Sequence, residues 1–270
     1  MRLELFFETE YRYDPPAATG LTALRLLPGD RPGQRVTEAA IEAIPGRAAL
    51  SYIDSWGTRV DLVEIRSVHA SARFRAVATV ETAPVEVDLS PTAAESALFT
   101  APSSRVPLDG IDGLESWLMP GAMASWADLE TVLAWIPQRF AYAVGLTDAG
   151  TSLLDFVRLG AGVCQDFAHL FLAIVRRWGW CARYVSGYYF SAERDQLRID
   201  AEASHAWIEV YRPGAGWVGL DATTGRLTDD RYVVIGTGRD YDDVTPVRGI
   251  IAGNAIQSHA SHLQISQSQQ

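Results

Sequence analysis

The first hundred residues alternate. In "LELFF", Leu3, Leu5 and Phe7 share one face; in "ARFRAVATVE", Ala72, Phe74, Ala76, Ala78 and Val80 alternate with Arg73, Arg75 and Thr79. A hydrophobic period of two predicts half-buried strands. "SYIDSWGTRVDLVEI" reads as two strands joined at Trp56-Gly57-Thr58, and "DPPAATG" and "PGDRPG" supply turns between the runs. Short alternating strands at this spacing predict an N-terminal β-sandwich over residues 1–90.

The period then lengthens. Residues 91–110 are rich in Ser, Pro and Ala and read as a linker with room for one short helix. Helical patterns follow near 111–118 and across "SWADLETVLAWIPQRF", with Ser125 as N-cap. Further on, Phe167, Leu170, Phe171, Ile174, Val175 and Trp178 recur at offsets of three and four, which predicts an amphipathic helix facing a core and ended by Gly179. From "CARYVSGYYF" the pattern returns to strands. Residues 111–255 therefore read as an α+β core, helices followed by an antiparallel sheet. The tail, residues 256–270, is polar and reads as disordered. No repeat interrupts this order.

Composition narrows the function classes. The 270-residue chain has a formal net charge of −10, which argues against nucleic acid or an anionic membrane as partner. No apolar run approaches the roughly 18 residues of a membrane span. The start "MRLELFFETEYRY" lacks a signal-peptide pattern, so a cytoplasmic location is expected. All 23 basic residues are arginine, and the absence of lysine excludes Schiff-base chemistry, a P-loop and a lysine general base. Cys164 and Cys181 are the only cysteines, and neither belongs to a CxxC pair.

Cys164 follows "GAG" at the first turn of its helix, where unpaired amides and the helix dipole stabilise a thiolate and can hold an oxyanion. Alone it is equally compatible with a buried structural cysteine. A nucleophilic thiol needs a proton-transfer partner. His169, five residues on, is turned roughly 140° away and lifted about 7.5 Å, and reads as a packing or hydrogen-bonding residue. His69 lies in the sandwich and His259 and His262 in the tail, which leaves His205. In the hairpin "SHAWIEVYRPGAGWVGLD", Asp221 falls opposite residues 205–208 to within a residue or two, within cross-strand reach of the imidazole. A His/Asp pair on a bare hairpin is also compatible with a surface polar pair; the helix-start cysteine tips the reading toward catalysis. Trp207 and Trp217 share the His205 face and are expected to shield its ring. "GRDYDDVTP" lacks the spacing and glycine of a calcium loop, so no metal is assigned there, and Arg239 is expected to pair with the neighbouring acids.

"GVCQDFAHLFLAIVRRWGWCARYVSGYY", "SHAWIEVY", "GWVGLDATTG" and "GRDYDDVTPVRG" together resemble the successive motifs of the bacterial transglutaminase-like family, which is related to the papain-like cysteine peptidases. "LRLLPG" and "DSWGT" resemble the β domain that often precedes that core, and the likeness spans about residues 1–253. It implies Cys164 as nucleophile, His205 as general acid/base and Asp221 as its orienting partner, with no cofactor. Ala222 stands where the family usually has proline, and Thr58 where asparagine is common. The mechanism implied is acyl transfer through a thioester, most simply hydrolysis of a peptide or protein amide. The alternatives are a protein-glutamine transglutaminase, with an amine resolving the thioester, and a non-catalytic binding module. The Cys164 amide is one expected oxyanion donor. Gln165, Tyr142, Trp126 and Trp135 are candidates for a second, and Tyr241 and Trp207 are candidates for the substrate cleft.

Overall fold

The computed structural model describes residues 1–84, 89–109, 124–191, 204–252 and 256–268. The helix expected near 111–118 lies outside these residues. In chain order come six strands: β1 (Arg2–Ala17), β2 (Gly20–Leu24), β3 (Gln34–Ile44), β4 (Arg47–Ile53), β5 (Arg59–Ile65) and β6 (His69–Thr82). Then follow α1 (Ala93–Thr100), α2 (Trp126–Arg139), β7 (Ala141–Tyr142), α3 (Leu153–Leu159), β8 (Ala161–Gly162) and α4 (Cys164–Arg177). The chain ends through β9 (Ala182–Tyr189), β10 (His205–Arg212), β11 (Gly216–Asp221), β12 (Arg226–Leu227), β13 (Tyr232–Gly238), α5 (Tyr241–Val244), β14 (Val247–Ile251) and β15 (Ile256–Gln267).

Two four-stranded sheets, ordered β15-β1-β6-β3 and β14-β2-β5-β4, make the sandwich. The alternation of β1 and β6 turns Leu3, Leu5, Phe7, Phe74 and Val80 into one core with Leu24, Val63 and Ile65 of the facing sheet. Both sheets are completed from the far end of the chain. β14 pairs with β2, and β15 runs antiparallel to β1 from Asp14↔Ile256 to Leu3↔Gln267. This corrects two expectations: the sandwich is not closed by residues 1–90 alone, and residues 256–267 form a strand rather than a disordered tail. Leu263, 3 % exposed opposite Phe7, anchors that strand in the sandwich core. Ile265 packs beside it, but Ser261 and His259 on the same face are polar: Ser261 hydrogen-bonds the Thr9 hydroxyl at 3.0 Å and His259 stacks on Tyr11. A polar edge strand of this kind also resists edge-to-edge association.

The second unit packs α4 against a five-stranded antiparallel sheet ordered β12-β11-β10-β9-β13, an α+β arrangement. The helical period of α4 puts Phe167, Leu170, Phe171 and Ile174 against Ala206, Ile208 and Val210 of β10. Each such large apolar side chain contributes about 1.5–3 kcal/mol on burial. The far end of α4 is tied down by the buried Arg176. Its guanidinium donates to the carbonyls of Ala182 and Arg239 at 2.7–3.1 Å, fixing the helix to β9 and to the turn before α5.

Candidate active site

Cys164 is the first residue of α4 and is half-buried. The turn that presents it is built by Asp166, whose Oδ2 accepts from the Val163 amide at 2.9 Å and from the Thr147 hydroxyl at 2.6 Å. Burial pushes the Asp166 carboxyl up, and the two donated hydrogen bonds oppose that. The fold-back requires glycine at 162, because a Cβ there would meet Asp166 Oδ2 at 2.4 Å and the Phe156 ring at 2.8 Å. Helix N-termini leave their first amides without intrahelical partners, and Cys164 sits at that end of α4. The thiol also lies 3.9 Å from the Ser204 carbonyl, immediately before His205.

His205 opens β10, and Asp221 closes β11. The register pairs Ile208 with Leu220, so Asp221 falls across from Trp207, one diagonal from His205. His205 Nε2 and Asp221 Oδ2 are 2.8 Å apart in full burial, the carboxylate being 0 % exposed. Burial favours a neutral imidazole, but the Asp221 charge and hydrogen bond, with the Cys164 thiol, outweigh it and push the His205 pKa up to about 10. Burial likewise opposes ionisation of Asp221, yet the carboxyl is held below its usual range by His205, the Tyr232 phenol and the Thr223 amide. Tyr232 donates to Oδ2 at 2.8 Å, and the Thr223 amide to Oδ1 at 2.9 Å. The other ring nitrogen, Nδ1, is buried and has no hydrogen-bond partner among the described residues. Cys164 lies near enough for its charge to contribute to the raised His205 pKa.

Aromatic rings wall the imidazole in. Tyr189, Trp207 and Tyr232 lie 5.8–6.1 Å from it, centroid to centroid. Trp207 fits there because the β9 residue opposite His205, diagonal to the tryptophan, is Gly187; a Cβ at 187 would meet the indole at 2.5 Å. Trp207 is 1 % exposed and backs the imidazole. Trp217 does not shield His205. It pairs with Tyr211 at the opposite end of the hairpin, under the Arg183 guanidinium at 4.0 Å.

The remaining sequence candidates separate cleanly. Trp126 donates its indole N–H to Glu130, and Trp135 packs edge to face on Phe140. Tyr142 pairs in register with Gly162, two residues before Cys164, and Gln165 is half-buried beside it. Tyr241 begins α5, where its amide donates to His169 Nε2 at 3.3 Å. His169 is therefore a hydrogen-bonding residue, and burial pushes its pKa down to about 4. The nearby acids are engaged locally: Arg239 forks onto Asp243, Arg105 onto Asp242, and Asp240 accepts the Arg105 amide. Sequence reasoning missed Asp166, Thr147 and Tyr232. Asp166 carried a signal, an acid at the third helical position as in a capping box, although Val163 lacks the matching side chain. Tyr232 carried none, since β13 reaches the site through pairing with β9 and not through any local pattern.

A cysteine at a helix start and a buried His–Asp pair on an antiparallel sheet define a transglutaminase-like centre. Residues 118–222 match the model of the transglutaminase-like superfamily, and residues 3–81 that of the bacterial transglutaminase-like N-terminal region. The chain is 31% identical over 272 residues to an uncharacterized protein of Mycobacterium leprae, covering 93% of this chain and 94% of that one. An uncharacterized protein of Mycobacterium tuberculosis is 43% identical over 126 residues, 44% of this chain and 40% of that relative. A solved structure of a candidate cysteine protease from Cytophaga hutchinsonii shares the fold with a TM-score of 0.79, at 23% identity over 98% of this chain and 90% of its own. The chain belongs to the transglutaminase-like superfamily and carries its bacterial N-terminal region.

Proposed function

We propose that the protein is a thiol-dependent acyl-transfer enzyme that hydrolyses peptide or amide bonds through a Cys164 thioester. The observation that carries this reading is the buried His205–Asp221 pair at 2.8 Å, with its other ring nitrogen free and Cys164 at a helix N-terminus 3.9 Å from the Ser204 carbonyl that precedes the histidine. An imidazolium and the first-turn amides both favour negative charge on that sulfur. The thiolate adds to the amide carbonyl, the oxyanion is met by the Cys164 amide, and His205 gives its proton to the departing amine. His205 then takes a proton from water as it attacks the thioester, releasing the acid and restoring the thiol. Asp221 keeps the ring oriented throughout. Tyr142, paired with Gly162, and Gln165, the residue after Cys164, are the candidates for the second oxyanion donor.

Alkylation by iodoacetamide between pH 4 and 10, mapped by mass spectrometry, is the first test. Cys164 is expected to react selectively well below pH 8.5, the ordinary thiol pKa being about 8.5. Cys181, whose thiol burial pushes up, is expected to lag. Cys164→Ala and His205→Ala should each abolish turnover of peptide amides and Cys181→Ala should retain it; substantial turnover by Cys164→Ala would sink the mechanism. Product formed with and without an added primary amine then separates hydrolysis from transglutamination.

A further inference from the structure

The open end of the sandwich faces the Thr147–Ala149 loop and Tyr241 of the core across a cavity of about 440 Å³. Its walls come from both units: Tyr11, Tyr13 and Phe74 of one sheet, Val247 and Ile251 of the other, and Tyr241 of the core. Tyr11 and Phe74 meet edge to face at 6.1 Å, so the rings form a continuous aromatic surface rather than scattered contacts. The remaining wall, Thr147–Ala149, is bound to the catalytic turn: Thr147 holds Asp166 at 2.6 Å, and Asp166 holds the Val163 amide beside Cys164. Tyr241 is fixed from the same helix through His169. The cavity is therefore anchored to the sulfur-bearing helix at two points, and none of Cys164, His205 and Asp221 lines it.

Resting on the thiol-enzyme reading above, we propose that this cavity is the specificity pocket of the site and takes an aromatic side chain of the peptide substrate. Its volume exceeds what one ring fills, which leaves room for the adjoining peptide. Edge-to-face and offset contacts favour an aromatic occupant over an aliphatic one. The Asp148 carboxylate at its wall, already accepting from the Gly150 amide at 2.8 Å, disfavours an acidic one. The sandwich is then half of the substrate site and not merely a cover for the core.

The test has two arms. In the first, acetyl-Phe-Gly-amide, acetyl-Gly-Gly-amide and acetyl-Glu-Gly-amide are titrated by calorimetry into Cys164→Ala protein, with and without Ala149→Trp. Ala149 is exposed on the cavity wall, so the added indole fills the space without disturbing the packed core. The phenylalanyl peptide is expected to bind at least about tenfold more tightly than the glycyl one, and Ala149→Trp to erase the difference. In the second, the corresponding peptidyl chloromethyl ketones alkylate the wild-type thiol, with iodoacetamide as reference. The phenylalanyl reagent should lead by a similar factor in wild type only, while iodoacetamide reacts equally with wild type and Ala149→Trp. Equal binding of the three peptides, or a preference that survives Ala149→Trp, overturns the pocket. Selective binding with an inert Cys164 overturns the enzyme reading and leaves the pocket standing.

Discussion

At the scale of single residues, Asp221 is the most constrained group in the site. Four donors converge on its two oxygens: His205 Nε2 and the Tyr232 phenol on one, the Thr223 and Thr224 amides on the other. Asp221→Asn would keep the shape but replace an acceptor by an amide that favours the wrong imidazole tautomer. On the proposed mechanism a loss of about 10⁴ in kcat is expected. Tyr232 acts one step back, and Tyr232→Phe removes one donor while leaving the ring packed. The Asp221 carboxyl should then rise toward its ordinary range, moving the acid limb of the kcat/KM profile to higher pH, with kcat reduced and KM retained. A profile superposable on wild type would mean that the phenol only packs. Ala222, in place of the family's usual proline, is 1 % exposed and packs in the core beneath the triad carboxylate, consistent with a side chain serving packing alone.

At the scale of elements, α4 and the β10–β11 hairpin were legible because each carries its own period. Apolar offsets of three and four gave the helix, and the cysteine's position before them gave its exposed first turn. Alternation around "RPGAG" gave the hairpin, and its register fixed Asp221 against His205. Trp217 shows the limit of that reasoning: it does share a face with His205, but six rungs of the hairpin separate the two positions, and sharing a face does not mean contact. Tyr232 shows another limit, since which strand lies beside β9 depends on packing across the sheet. His169 links the elements in a testable way. It sits buried in α4 with Nε2 accepting the Tyr241 amide, among Asp240, Asp242, Arg105 and Arg176. Its folded pKa of about 4 lies below the ordinary imidazole value of 6.5, so the unfolded chain binds the proton first. Stability should fall as pH drops from about 6.5 toward 4 and level off below, by about 3 kcal/mol. His169→Gln retains an acceptor for Tyr241 and removes the titration. Urea unfolding at pH 7 and pH 4.5 should show a smaller acid loss in the variant than in wild type; equal losses would assign the effect elsewhere.

At the scale of the whole molecule, the α+β core is an excursion out of the sandwich and back. The chain leaves through β6 and returns through β14 and β15, so residues that are far apart in sequence complete both sheets. A buried cluster locks the two units: Glu209 of β10 is forked by Arg31 of the sandwich at 2.9 Å and by Arg183 of β9 at 2.6–2.8 Å. Both guanidinia hold its carboxyl down against the burial that would raise it. None of this was readable locally. Periodicity marks an element and leaves its partner open, and the polar 256–267 segment becomes a strand because β1 offers it a ladder and a slot for Leu263. Ending the chain after Ala252 tests that dependence. It strips β1 of one whole neighbour, opens the core beside Leu5 and Phe7, and leaves a long apolar-faced edge. Losing Leu263 alone removes about 2–3 kcal/mol of burial. With the ladder gone as well, the melting temperature should fall by at least about 10 °C, or the protein should associate, as read by thermal unfolding and gel filtration. Residues 1–90 expressed alone should fail to fold for the same reason, because that fragment lacks an edge strand in each of its two sheets. A truncated chain as stable and monomeric as wild type would show that the sandwich closes without its C-terminal strand.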